Sequence, residues 1–258
     1  MKIQPIITIW EREVIRYWRD KTRIISTTIQ PLMFLAIFGL GLRNTLAQGN
    51  FSVDYVQFMY PGIIAMSIMG VTFFSTVSTV WDREFGFLKE ILVAPVPRLS
   101  IVIGKALGAT TIAASQALIL LLLTPFIGIS VHISILPLLL LFMILLALAV
   151  AGLGLLIASL MKSTESFGLL MQVLVFPMFF LSGAFFPLTA VPFWMAVLSR
   201  LNPLTYAVDA FRQLLLGAQA QQALVKIVLF PVMVDGMILL MLAGGLLIAA
   251  SVLFNREG

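Results

Sequence analysis

The sequence predicts an all-α integral membrane protein folded as a single domain over 1–258, and three observations carry that prediction. Of its residues 61% are hydrophobic and 10% charged, with a mean hydropathy of +1.10; soluble domains hold roughly 45–50% apolar and about 25% charged residues. The apolar runs are long enough for helical spans of about 20 residues, and no alternating strand pattern of about ten residues accompanies them, which argues against a β-barrel. The basic residues are gathered in particular connecting segments rather than spread evenly, as expected where the membrane sorts loops by charge.

The N-terminal segment, within 1–23, is charged. It lacks a short apolar core followed by a small-residue cleavage site, so no removed signal is expected. From Pro5 to Arg23, Ile7, Trp10, Val14 and Tyr17 form one helical stripe, with Glu11, Arg12, Arg16, Arg19 and Arg23 largely elsewhere. That pattern predicts a basic amphipathic interface helix along the inner membrane surface, with lipid as one partner.

Six spans follow within 24–254, at about Ile24–Leu42, Tyr55–Val80, Lys105–Ile127, Ile135–Leu160, Phe167–Leu181 and Val232–Phe254, leaving a short tail at 255–258. Lys2, Arg12, Arg16, Arg19, Lys21 and Arg23 precede the first span. Arg83, Lys89 and Arg98 lie between the second and third, with Lys105 at the edge. The first loop on the other side has only Arg43, and Ile129–Ser134 has no Lys or Arg. The positive-inside bias then predicts a multi-pass protein of the cell (inner or plasma) membrane with both termini, the second loop and the Met161–Ser166 turn cytoplasmic.

After the fifth span, Val191–Leu198 is apolar yet too short to cross, and Gly183, Pro187 and Pro192 interrupt the region. A re-entrant or interfacial helical pair is expected there. The next helix is well marked: Asn202 can cap it, Pro203 suits its first turn, Leu204, Val208, Phe211 and Leu215 make a stripe, and Gly217 can close it.

Catalysis finds no foothold. The chain has one histidine, His132, and no cysteine, no HExxH, no GxSxG and no paired carboxylates on a membrane face. Gly104-Lys105 lacks the first glycine of a phosphate loop, so no nucleotide site is expected. Small residues read instead as helix packing: Ala147, Ala151, Gly154 and Ala158 on one span, Gly104 and Gly108 on another. Asp235 is the one ionisable group near a span end, expected at the outer interface; Asp209 and Arg212, one turn apart, are expected to form a local pair.

The segment WDREFGFLKEILVAP, Trp81–Pro95, stands out. On a helix Trp81, Phe85, Leu88 and Leu92 form one apolar stripe with Asp82, Gly86 and Lys89 opposite, and Pro95 and Pro97 forbid continuation. The reading is a short amphipathic helix tied at both ends to spans, with Phe85, Phe87 and Leu88 suited to anchor in a groove on a soluble partner.

WDREFGFLKEILVAPVPR, LSGAFFPL and RLNPLTYAVDAFR together resemble the membrane permeases of type-2 ABC exporters, the group of the daunorubicin-resistance and nodulation-factor permeases, over essentially the whole chain. The resemblance implies a coupling helix between spans two and three that docks a separate ATP-binding subunit, with Arg83, Glu84, Phe85, Gly86, Phe87, Leu88, Glu90, Leu92 and Pro95 at the matching positions. Phe87-Leu88-Lys89 departs from the Thr-Leu-Glu of many relatives. The resemblance further implies an interface helix carrying Trp10, Arg12, Arg16, Tyr17 and Arg19, and a re-entrant pair at about Ser182–Leu201. No cofactor is expected in this chain, ATP and magnesium belonging to two copies of the partner subunit; a second permease copy, identical or not, completes the assembly, and no nucleic acid is implied. A lipid-like, drug-like or glycan-linked substrate would move outward past spans one, two and five, whose side chains include Thr27, Thr28, Gln30, Met33, Phe34, Phe73, Phe74, Gln172, Phe176 and Phe180. Two rivals stand beside this reading: a membrane scaffold that recruits a cytoplasmic partner without transport, and an ion-coupled carrier built on Asp235.

Overall fold

The computed structural model describes residues 3–41, 54–86, 97–224 and 228–256. All regular structure among them is helical. Helix α1, Ile3–Arg19, ends where Asp20 leaves helical geometry (φ −90°, ψ 79°) and accepts the Arg23 N–H, capping α2, Lys21–Phe34. Past Pro31 the chain widens into a π-helical stretch, Leu35–Leu40.

Helix α3, Tyr55–Glu84, is the axis of the molecule: Tyr60, Ile63, Ile64, Ile68 and Met69 are fully buried. Three of its hydroxyls bond back within the helix, Thr72 donating to Ile68 O (2.6 Å), Ser75 to Val71 O (2.9 Å) and Thr76 to Phe73 O (2.8 Å). This removes polar groups from an environment that offers no water. Around α3 pack α4 (Arg98–Leu121), α5 (Leu136–Leu160), α6 (Thr164–Phe180) and α2. The remaining helices are α7 (Phe193–Leu201), α8 (Pro203–Leu224) and α9 (Val232–Arg256), the last lying along α5.

Small residues let these helices close up, as expected. A Cβ on Gly154 of α5 would fall 2.5 Å from Thr76 Oγ1 of α3, and one on Gly152 would fall 2.9 Å from Leu246 Cβ of α9. Helix α5 is therefore wedged between two neighbours, with Ala147, Ala151 and Ala158 fully buried.

Several expectations are revised. Among the described residues, five helices are long and apolar enough to cross a membrane: Lys21–Gly39, Tyr55–Glu84, Arg98–Leu121, Ile133–Leu160 and Val232–Phe254. The stretch expected as the fifth of six spans falls in the shorter α6, 17 residues long. The third span begins at Arg98, so Lys105 lies two turns inside a helix rather than at its edge. In place of a helical pair over Ser182–Leu201 there is a turn at Gly183 (φ +77°), a 3₁₀ turn at Leu188–Ala190 and one helix, α7, because Pro187 and Pro192 supply no N–H to continue a ladder. The amphipathic helix expected from Trp81 through Leu92 is interrupted. Residues up to Glu84 are the end of α3, and Gly86 takes the left-handed conformation (φ +79°) that closes it, its N–H bonding Arg83 O. Phe87, Leu88, Lys89, Glu90, Leu92 and Pro95 lie outside the described residues, as does Arg43. Asn202 does cap α8, its Oδ1 accepting the Leu204 N–H at 3.1 Å, and Gly217 (φ +52°) breaks the helix as expected.

Candidate functional site

The end of α3 reaches four other helices through three consecutive side chains. Asp82 is buried and accepts from Lys105 Nζ of α4 (2.7 Å) and from Arg12 of α1 (2.7 Å). Arg83 donates to Ser159 O (2.7 Å) and Met161 O (2.8 Å), satisfying carbonyls at the end of α5 that have no intrahelical partner. Glu84 accepts from the Thr164 N–H (2.9 Å) and from its hydroxyl, placing a carboxylate at the start of α6. Phe85 follows, 80% exposed. Of the residues expected to meet a partner, Arg83 and Glu84 are thus engaged within the chain, and Phe85 is the described one that projects.

Helix α1, the amphipathic helix expected near the N-terminus, packs along α4. Its contacts with α4 advance in step: Ile6 and Ile9 at Gly104, Glu13 at Gly108, Trp10 at Thr111 (Nε1 to Oγ1, 2.9 Å) and Tyr17 at Gln116 (OH to Oε1, 3.1 Å). Helices in contact over so many successive turns run side by side. The approach is possible because a Cβ at Gly104 would stand 2.9 Å from Ile9 Cβ and one at Gly108 2.8 Å from Glu13 Cβ. Arg16 sits over the Trp81 ring at 4.6 Å, and Arg19 is exposed.

Between these helices lies a cluster that sequence reasoning missed. Lys105 Nζ contacts Asp82 (2.7 Å), Ser78 Oγ (3.1 Å) and Glu13 Oε1 (3.3 Å); Arg12 bonds both Glu13 (2.9 Å) and Asp82 (2.7 Å). Lys105, Glu13 and Asp82 are nearly inaccessible. Two positive and two negative side chains cancel, the condition under which buried charges persist. Burial alone would push the Glu13 carboxyl up, but Lys105 and Arg12 outweigh it and hold the group below the usual carboxylate range. Burial likewise opposes the Arg12 charge, and its bonds to Asp82 and Glu13 more than restore it. A lysine inside an otherwise apolar helix was the available signal, since such a charge requires a counter-charge.

A groove between α2, α3 and α6 is lined by Thr27, Gln30, Pro31, Phe34, Met66, Ser67, Gly70, Val71, Phe74 and Phe179. Four of the expected lining residues, Thr27, Gln30, Phe34 and Phe74, meet there. Phe73 instead points into the core, because it leaves α3 about 100° around the helix from the exposed Phe74. Thr28 is spent on Gln116 (2.8 Å); Met33 faces the outer side of α2, and Gln172 and Phe176 the exposed side of α6. Phe180 leaves the groove to stack on Phe185 (5.1 Å), which also meets Phe34 and Phe38.

At the opposite end of the bundle, Asp209 and Arg212 do not form the expected local pair. Arg212 donates to Gly183 O (2.7 Å) and lies 4.0 Å over the Phe58 ring, while Asp209 Oδ2 accepts the N–H groups of Leu229 (2.9 Å) and Phe230 (3.0 Å). Asp235 is fully buried with Gln213 Nε2 3.5 Å away. His132 is exposed. Among the described residues no group of three or more His, Asp or Glu side chains is placed to hold a metal ion.

A helical bundle with several membrane-length helices, and with its polar groups concentrated at helix ends, defines a multi-pass membrane protein. Residues 4–216 match the family model described as ABC-2 type transporter, and the chain belongs to that family. It is 30% identical over 213 residues to a protein of Cyanophora paradoxa named as a transport permease, ycf38, covering 81% of this chain and 73% of that one. It is 32% identical over 174 residues to YbhR of Escherichia coli strain K12, named as a multidrug ABC transporter permease, covering 65% and 46%. With the Escherichia coli inner membrane transport permease YadH it shares 28% identity over 214 residues, covering 81% and 82%. The chain is a transport permease of this family, and membership implies an ATP-binding partner protein.

Proposed function

We propose that the chain is the membrane half of an ATP-driven exporter, moving an amphipathic substrate outward from the cytoplasm or inner leaflet. The observation that carries this reading is the foot of α3. A single helix runs from the buried centre to an exposed Phe85–Gly86 turn, and Asp82, Arg83 and Glu84 connect that turn to α1, α4, α5 and α6. A push at the turn therefore spreads through the bundle instead of bending one loop. ATP and magnesium belong to the partner, docked on the segment that begins at Phe85, with α6 as the fifth of six spans and both termini on the cytoplasmic side of the cell membrane. Two permease copies and two ATP-binding subunits make the complete machine. The groove lined by Gln30, Phe34, Phe74 and Phe179, apolar with single polar groups, suits drug-like, lipid-like or glycan-linked molecules.

Co-purification from membranes tests the docking. Phe85→Asp is expected to release the ATP-binding subunit from a permease that still migrates as a folded protein, whereas undiminished binding contradicts docking at this turn. In proteoliposomes, ATP-dependent movement of a fluorescent amphipathic probe is expected with the complete complex and absent without the ATP-binding subunit.

A further inference from the structure

Lys105 is the side chain through which α4 holds both of its neighbours at once. It reaches Glu13 on α1 and Ser78 and Asp82 on α3, and Arg12 closes the ring by bonding both carboxylates. Gly104 and Gly108 flank it and bring α1 close enough for the contact to Glu13. Moving α1 away from α4 would break the Glu13–Lys105 and Arg12–Asp82 contacts and leave two separate pairs, Arg12–Glu13 and Lys105–Asp82, each with fewer partners in a site that offers little water, so separation of α1 from α3 and α4 is opposed at both contacts together. Irregular backbone bounds this assembly on both sides. Asp20 breaks the path from α1 to α2, and Gly86, in the left-handed conformation, ends α3.

We infer that Lys105 is a positioning residue for energy transfer: it locks α1, the foot of α3 and the start of α4 into one body that swings as a unit about Asp20. The inference rests on the transport reading above. The role of the cluster is to keep the force delivered at the Phe85 turn from being lost in separate movements of three helices.

The chain has no cysteine, so engineered pairs can be spin-labelled without background. One pair, Ile15→Cys with Leu107→Cys, spans α1 and α4; a second, Ile15→Cys with Ile25→Cys, spans the Asp20 break, all three positions being exposed. Distances are measured in the permease–ATP-binding-subunit complex in lipid nanodiscs, without nucleotide and trapped with ATP and vanadate. The α1–α4 distance is expected to remain narrow and equal in both states while the α1–α2 distance shifts. Lys105→Met is expected to broaden the α1–α4 distribution and to lower permease-stimulated ATP hydrolysis about tenfold, a coupling of ordinary size, with the subunit still bound. Where that variant does not fold, Glu13→Gln/Lys105→Met leaves Arg12 and Asp82 balanced while removing the α1–α4 link, and the same two changes are expected. An α1–α4 distance that changes with nucleotide in the unmutated cluster overturns the inference, as does a double variant with a narrow distance and full hydrolysis. A wild-type chain that binds no ATP-binding subunit overturns the transport reading and this inference together, and the missing complex tells that failure apart.

Discussion

The two ends of the bundle treat buried charge in different ways. At the end of α3, Arg12, Glu13, Asp82 and Lys105 neutralise one another side chain to side chain. At its beginning, the buried Asp209, Arg212 and Asp235 make no ion pair with one another and bind backbone, amide or ring instead: Gly183 O, the Leu229 and Phe230 N–H groups, Gln213 and the face of Phe58. Asp209 Oδ1, Asp235 Oδ1 and Arg212 Nε have no hydrogen-bond partner there. The first arrangement joins whole helices. The second fixes turns, holding the Gly183 turn and the approach to α9 against α8. A balanced cluster should therefore be the more sensitive to losing one member, because each loss leaves the others uncompensated.

The largest expected effect sharpens that contrast. Lys105→Met should cost about 3–5 kcal/mol of stability, the usual result of breaking a buried ionic group by removing one partner. Arg212→Met should cost less, about 1.5–3 kcal/mol, for a charged hydrogen bond to a single carbonyl. Denaturant titration of the two purified variants in the same lipid environment checks the order, and Arg212→Met as the more damaging change would break the comparison. The Glu13→Gln/Lys105→Met pair should recover part of the loss, since the remaining Arg12 and Asp82 still cancel.

Close packing supplies the next effect. At the charged end, Gly108→Ala drives a new Cβ against Glu13 Cβ at 2.8 Å, while at the other end Gly62→Ala drives one against the Ala184 side chain and backbone. Each should cost about 1–3 kcal/mol by overpacking. Their consequences differ: the Gly108 change should also weaken the Glu13–Lys105 contact, and the Gly62 change should displace the turn at Gly183. Gly244→Ala, with nothing within 4 Å, is the matched control and should be stabilising or neutral.

The spans and their small-residue faces were legible because apolar run length and four-residue spacing are local properties. Gly104 and Gly108 could be read as a helix contact, although not the helix they serve. The charge cluster was not legible in the same way. Lys105 is separated from Asp82 by 23 residues and from Glu13 by 92, and only the fold brings them together. Where local spacing did make a specific prediction, tertiary contacts sometimes overruled it. Asp209 and Arg212 are correctly spaced for a pair, yet the turns at Gly183 and Leu229 offered each a better-placed partner. The Trp81–Leu92 stripe has the right period for one helix, but a left-handed glycine at position 86 interrupts it, and periodicity of apolar residues carries no information about that.

Acid should separate the two ends further. Glu13 has a folded value below its unfolded one, so its stabilising contribution is complete above the ordinary carboxylate range and is lost as pH falls through the folded value. Thermal stability of the wild type should therefore decline on acidification below about pH 4.5. Glu13→Gln should start lower at neutral pH and lose less on acidification. A variant whose acid limb parallels that of the wild type would place the acid sensitivity elsewhere.

The smallest effect tests how far the charged end extends. Arg16 lies on the exposed side of α1, with its guanidinium 4.6 Å from the centre of the Trp81 ring. Trp81 precedes Asp82, so this stacking ties α1 to α3 beside the charge cluster, on the exposed face of α1. A cation over an indole face at an exposed site contributes about 0.5–1 kcal/mol. Arg16→Gln should reduce stability by no more than that, and by less at high salt, while Arg16→Lys should retain part of it. Because the buried charge cluster holds the same two helices independently of this stacking, the α1–α4 spin-label distance should not change in Arg16→Gln. If it broadens as far as in Lys105→Met, the joint lies at the surface stacking and not at the buried cluster.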